Sequence, residues 1–309
     1  MTTQYEHRSD IRIGLVLPSK GPEELDAGAS TASQLNWSSV WVTDHLLVPR
    51  GPEAAEYGCI LEAITALAWV GARHEGLTLG FSVLVPAMRD APLLAKQIAT
   101  LDVLTGGRVV VGVGTSDTYD LTEYTNLGKA ERFADRGAYV DESITLWRHL
   151  WSGRTDPFTG RFHRLEDFTF LPLPVQGAAV PVWCGGRSAR AVRRSVELAD
   201  GYHAAQTGPD NLRERIPQIL EVVAISGRPL PTLSVRCRVK PEDYVGPPYA
   251  LAGTPARMIE DVVEFGRLGV ADLIMCFDDH EPEALALAMR IFDDDVVAPA
   301  RERLRSEFG

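Results

Sequence analysis

The stretch Ser39-Val40-Trp41-Val42-Thr43-Asp44-His45-Leu46 runs apolar and then stops abruptly at an acid followed by a histidine. In a barrel of alternating strands and helices, side chains at the strand carboxyl ends face the open mouth, where chemistry takes place. An imidazole titrates near neutral pH, so His45 is the member of this pair suited to moving a proton. A second reading has Asp44 capping a helix N-terminus, with His45 merely nearby. Pro181-Val182-Trp183-Cys184-Gly185-Gly186-Arg187-Ser188 reads as a strand, a glycine pair and a helix start capped by Ser188. That is the make-up of a phosphate cradle, because glycines admit close approach of backbone N–H groups and the helix N-terminus adds partial positive charge. Ordinary loop closure would use the same residues. Arg187, Arg190, Arg193 and Arg194 gather here, which suits an anionic ligand, although a solvated helix face explains the last two equally well. Gly112-Val113-Gly114-Thr115-Ser116-Asp117 brings another strand to the mouth, leaves Thr115 and Asp117 there, and has glycines that let a flat ring lie close to backbone. His7, His74, His149, His163, His203 and His280 show no metal-ligand spacing, and Asp293-Asp294-Asp295 reads as a solvated turn, so no metal is expected.

The elements that must position these residues follow from periodicity. Short β-branched or apolar runs alternate with longer amphipathic segments about eight times, the rhythm of a parallel sheet. Strands are expected over 11–18, 39–45, 77–86, 108–116, 181–186, 201–206, 233–240 and 271–277. Helical stripes such as Leu93-Leu94-Ile98-Leu101 and Val140-Ile144-Trp147-Leu150-Trp151 lie between them. Eight strands with eight helices point to a closed (β/α)8 TIM barrel, an α/β fold in one domain over 1–309. Residues 152–179, rich in Gly, Pro and aromatics, break the rhythm and read as an insertion with a hairpin before the fifth strand. Loops of that length usually cover active sites. Trp41, Trp69, Trp147 and Trp151 follow core periodicity.

Composition narrows the partners. At 309 residues and 45% hydrophobic content the chain can bury a large core. The polar N-terminus and the absence of a long apolar run lead us to expect a cytoplasmic protein without a membrane span. A net charge of −11 disfavours nucleic acid and anionic lipid as partners. Cys59, Cys184, Cys237 and Cys276 are widely separated, which speaks against disulfides and a cysteine zinc site. A small-molecule substrate is the expected partner, and a homodimer is left open.

The strand Leu79 to Pro86, the run Ala95-Lys96-Gln97-Ile98-Ala99-Thr100-Leu101-Asp102, the turn Gly106-Gly107-Arg108 and the strand with Gly112-Val113-Gly114 occur together and in order. In these segments the chain resembles the bacterial luciferase-like superfamily, and the resemblance extends over nearly the whole chain, including the insertion and Gly253-Thr254-Pro255. A second strand ending in Asp-His-Leu looks more like the members that use the deazaflavin coenzyme F420 than like the FMN monooxygenases. The resemblance therefore implies an F420-dependent oxidoreductase moving hydride to or from a small organic substrate. FMN, in a monooxygenase fed by a separate reductase, is the alternative, and a cofactor-free binding or subunit protein is the third reading.

The resemblance also assigns roles. Ser82-Val83 falls where the family has a non-prolyl cis peptide under the cofactor ring, and Gly185-Gly186, with Arg187 and Ser188, matches the cofactor-phosphate loop. Ser82, Val83, Thr115, Gly185 and Gly186 are expected to hold the cofactor. Asp44 is expected to orient His45 or hydrogen-bond the cofactor, and His45 to move the proton that accompanies hydride transfer. Asp117 aligns with an acid that assists proton transfer in the deazaflavin-dependent sugar-phosphate dehydrogenases, but is shorter than the glutamate usual there. Those enzymes also carry a tryptophan where this chain has Pro49, which disfavours a sugar phosphate. Side chains of the insertion and of the loops after several strands are expected to shape the substrate pocket.

Overall fold

A computed structural model describes residues 4–116 and 120–309. Eight parallel strands close into a barrel: β1 (Arg12–Val16), β2 (Ser39–Val42), β3 (Thr78–Phe81), β4 (Val109–Val113), β7 (Val182–Gly185), β8 (Gly201–Ala205), β9 (Thr232–Arg238) and β10 (Asp272–Cys276). The order around the barrel is β1-β10-β9-β8-β7-β4-β3-β2, so each strand neighbours its sequence successor in the barrel and β1 closes on β10. Seven strands lie inside their expected spans, and β9 starts one residue early.

Helices α1 (Pro22–Gln34), α3 (Ala63–Arg73), α4 (Ala91–Leu104), α6 (Arg136–Trp151), α7 (Ala189–Glu197), α8 (Pro209–Ser226), α9 (Pro255–Arg267) and α10 (Pro282–Phe292) form the outer layer. The short α2 (Pro52–Tyr57) and α5 (Leu121–Asn126) sit in the loops after β2 and β4, and α11 (Ala298–Phe308) ends the chain. Asp293-Asp294-Asp295, expected as a solvated turn, instead belongs to a π-helical step, Asp293–Val297, between α10 and α11. Trp37 Nε1 donates to Asp293 Oδ1 at 2.7 Å, which ties this step to the barrel wall. Trp147 and Trp151 are fully buried on α6 and donate to the carbonyls of Ala91 and Ala95 on α4, at 2.9 and 3.0 Å. Packing and polar satisfaction are thus met by the same indoles.

The barrel interior is filled by large side chains facing glycines. Trp41 and Trp183 stack with centroids 5.3 Å apart, joined by Val16, Val110 and Ile274. A Cβ on Gly80 would lie 2.0 Å from Trp41, and one on Gly201 2.3 Å from Trp183, so these two strands must carry glycine for the indoles to fit.

The insertion does contain a hairpin, β5 (Phe158–Thr159) with β6 (Arg164–Leu165). It does not reach the mouth. Glu142 on α6 accepts the backbone N–H groups of Arg161, Phe162 and His163 at 2.6, 2.8 and 2.7 Å, while Gln176 bonds Asp102 on α4. These contacts bind the segment to the outer helices, and none of its residues lines the mouth cavity. The expectation that the insertion and the loops after several strands shape the pocket is therefore corrected for the insertion, while residues following the strands, such as His45, Val83 and Gln206, do line the cavity.

Candidate active site

A cavity of about 250 Å³ opens at the carboxyl ends of the strands, lined by Thr43, Asp44, His45, Tyr57, Ser82, Val83, Ser116, Gln206 and Arg236 among others. Four sequence expectations, Asp44, His45, Ser82 and Val83, meet there. His45 Nδ1 donates to Glu123 Oε2 at 2.9 Å, and its ring stacks on Tyr57 with centroids 4.5 Å apart. The other Glu123 oxygen accepts the N–H groups of Leu46 and Leu47 at 2.5 and 3.0 Å. One buried carboxylate on α5 therefore fixes both the imidazole and the loop that carries it. Burial pushes His45 toward its neutral form, but the hydrogen bond to Glu123 and the charges of Glu123, Asp120 and Asp44 outweigh it and raise its pKa. Burial of Glu123 is likewise outweighed by His45 and the loop N–H groups, and its pKa is lowered.

Asp44 does something other than orient His45. It is buried, accepts Arg89 Nη2 at 2.5 Å, Arg89 Nε at 3.0 Å and the Val85 N–H at 3.1 Å. It is a strut from the end of β2 to the chain after β3. No helix begins beside it, so the capping reading also falls; the next helix starts at Pro52.

The Ser82–Val83 peptide is cis, as the resemblance implies. Ser82 turns its polar atoms inward: its Oγ lies 2.8 Å from His203 Nε2, and its carbonyl accepts Arg236 Nη1 at 2.7 Å. His203 Nδ1 reaches Ser234 Oγ at 2.9 Å, and the ring stacks on Trp41 at 5.5 Å. Burial, with the charge of Arg236, pushes His203 down to about 3, so it stays neutral and serves as a hydrogen-bonding wedge beneath the platform. Val83 is half-buried, and a Cβ on Gly114 would lie 2.5 Å from its Cγ2.

Gly185 and Gly186 close β7 beside the mouth, and Gly186 has φ +123°, a conformation that favours glycine. Ser188 caps α7 as expected, accepting the Ala191 N–H at 3.2 Å. The arginine cluster is divided: Arg190 and Arg194 pair with Asp141 and Arg193 with Glu197, leaving Arg187 exposed and without a carboxylate partner among the described residues. Thr115 is half-buried next to the cavity, which Ser116 lines instead. Asp117 lies outside the described residues.

Sequence reasoning missed Glu123, Arg89 and Arg236. Glu123 and Arg89 come from loop elements with no periodic signal. Arg236 had one: Ser234, Arg236, Arg238 and Lys240 alternate at period two through an otherwise apolar strand, which places cations on the inner face.

Fold and site together define a parallel barrel whose working end is the C-terminal mouth. The chain belongs to the luciferase-like monooxygenase family, whose profile matches residues 4–242. Curated relatives include F420-dependent glucose-6-phosphate dehydrogenases. The one from Microbacterium testaceum is 33% identical over 62% of this chain and 56% of its own length. The one from Nakamurella multipartita is 32% identical over 74% and 67%. The chain thus aligns with little more than half of the first of these. Among solved structures, an F420-dependent secondary alcohol dehydrogenase in complex with an F420-acetone adduct matches with a TM-score of 0.78 at 18% identity, covering 94% of this chain and 99% of that one. A monooxygenase from Streptomyces bottropensis matches with 0.76 at 18%, covering 93% and 99%. At that identity these likenesses speak for the fold alone. No helix among the described residues is long and apolar enough to cross a membrane.

Proposed function

We propose that the protein is a coenzyme F420-dependent oxidoreductase that transfers hydride to or from a small organic substrate. The observation that carries this reading is His45, anchored at Nδ1 by Glu123 and lining the mouth beside the Ser82–Val83 platform. The residues fit a flat cofactor with an anionic tail. Val83 offers an apolar surface kept close to the strand by Gly114. The Gly185-Gly186 turn exposes backbone at the start of α7, and Arg187 is a cation with no carboxylate of its own among the described residues.

When bound, the deazaflavin supplies a carbon that accepts or gives up hydride. His45 exchanges the accompanying proton at Nε2, the ring nitrogen that Glu123 leaves without a partner among the described residues. Asp44 and Arg89 brace the strand ends, His203 and Arg236 hold Ser82 from below, and Gly185, Gly186, Arg187 and Ser188 receive the phosphate. Thr115, half-buried beside the cavity, adds to the rim, and Asp117, which lies outside the described residues, stays a second candidate proton carrier by its place in the sequence. The F420-dependent names of the curated relatives favour this cofactor over FMN. Pro49, in place of the tryptophan of the sugar-phosphate enzymes, keeps the substrate assignment at a small organic compound. A cytoplasmic location goes with this reading, and a homodimer is the simplest assembly to look for.

Fluorescence titration of the purified protein tests the cofactor. F420 should bind at least about tenfold more tightly than FMN, a difference of about 1.4 kcal/mol. Tighter FMN binding, or oxygen-dependent turnover with reduced FMN, would replace this reading with a monooxygenase.

A further inference from the structure

Beside the mouth cavity lies a smaller one of about 50 Å³, with Thr43, Tyr57 and Arg236 forming a shared wall. Lys20, from the loop after β1, and His280, after β10, line its far side with Glu56. Glu56 is committed to Arg238, and Asp278 holds both Arg238 and Lys240. Lys20 and Arg236, both half-buried, have no carboxylate partner among the described residues. His280 Nδ1 is buried there without a hydrogen-bond partner. Burial and then the charge of Lys20 keep the His280 pKa below the ordinary histidine value. Two cations without an ion-pair contact among the described residues, with Glu56 acting on Arg236 only through its field, and an orphaned imidazole nitrogen share one recess, an arrangement that a small anion would complete.

We propose that this recess is the substrate's anion subsite: the substrate carries a carboxylate or phosphate, received by Lys20, Arg236 and His280, while its reactive carbon lies in the mouth cavity beside His45. The inference rests on the function proposed above. The recess has room for a head group of a few atoms and none for a ring, and Tyr57, stacked on His45, separates head group from reacting carbon. A guanidinium matches the paired oxygens of either anion.

Calorimetric titration with sodium acetate and with inorganic phosphate, at constant ionic strength and on the protein with and without bound F420, tests the subsite. With F420 bound, so that the α7 loop is filled, saturable binding of one anion is expected, weakened about tenfold by Lys20→Met or Arg236→Met and retained in Arg187→Ala; without F420, a second phosphate event that Arg187→Ala removes belongs to the α7 loop. Acetate alone saturating identifies a carboxylate, and phosphate alone a phosphorylated substrate. Lys20→Met carries the test if Arg236→Met, which also loses the bond to the Ser82 carbonyl, does not fold. No saturable binding, affinity indifferent to Lys20→Met, or affinity lost only in Arg187→Ala overturns the subsite. F420 affinity, read by fluorescence in the same samples, separates the two proposals. Anion binding without F420 binding sinks the cofactor reading alone, and F420 binding without anion binding sinks the subsite alone.

Discussion

Glu123 and His45, 78 residues apart, meet at 2.9 Å through Nδ1, so the imidazole presents Nε2 to the barrel mouth. The contact uses one ring nitrogen for anchoring and leaves the other, to which the proposal gives the proton transfer, without a partner among the described residues. It also links α5 to the end of β2, two elements that nothing in the linear sequence pairs.

If His45 moves the proton, His45→Ala should keep F420 affinity within a few fold and lose roughly 10²–10⁴ in kcat. Asp117→Asn is measured beside it. Should Asp117→Asn be inactive while His45→Ala keeps most of its kcat at saturating cofactor, the assignment of the proton to His45 is wrong.

Glu123→Gln removes the charge that raises His45, so the imidazole pKa should fall and the matching limb of the kcat/KM profile should move to lower pH. The ring titration can be followed directly by NMR. The stability linkage runs both ways. Raised His45 contributes fully below the ordinary histidine pKa, and that contribution is lost as pH rises through its folded value. Lowered Glu123 contributes above the ordinary glutamate pKa and loses that as pH falls through its folded value. The pair therefore stabilises most between those two ordinary values, and in Glu123→Gln the Tm advantage over that window should shrink.

Gly186→Val places a β-branched residue at φ +123° with its Cβ 2.9 Å from that of Ala191. A local cost of about 1–3 kcal/mol is expected, seen as a fall of several degrees in Tm with the fold retained. F420 binding should weaken in this variant and in Arg187→Ala, which has no backbone effect. Unchanged affinity in both would place the phosphate elsewhere.

Glu142→Gln should loosen the insertion. Burial of Glu142 is outweighed by the Phe162 N–H, His163 and the Arg161 N–H, which hold its pKa down, so the anchor is present above the ordinary glutamate value and lost as pH falls through the folded one. Trypsin cleavage after Arg161 and Arg164 at neutral pH should accelerate in the variant, with little change in F420 binding because the segment lies off the mouth. Parallel loss of F420 affinity would show that the insertion does reach the site.

The barrel was legible because each strand is a short apolar run bounded by turn residues, and because helices such as α6 repeat their buried positions at three and four. Asp44 was legible as a residue of the mouth, but not its partner: Arg89 reaches it from the chain after β3, a contact that depends on barrel closure. The insertion was recognised by composition, yet its direction depends on a single carboxylate, Glu142, that looks like any exposed helical acid in the sequence. Arg236 was passed over although Arg236 and Arg238 share the inner face of β9, since the apolar residues between them lead the eye to the core.

The tryptophan layer gives this molecule a direction. Trp41 and Trp183 roof a separate cavity of about 470 Å³ at the opposite end of the barrel, and neither lines the mouth. Among the described residues the indole layer separates the mouth from that cavity and closes it from below. Whatever settles against Val83 is covered by what arrives after it, and departure must run in reverse. If the proposed cofactor lies deepest, against Val83, the substrate lies above it, and product leaves by the path its precursor took in.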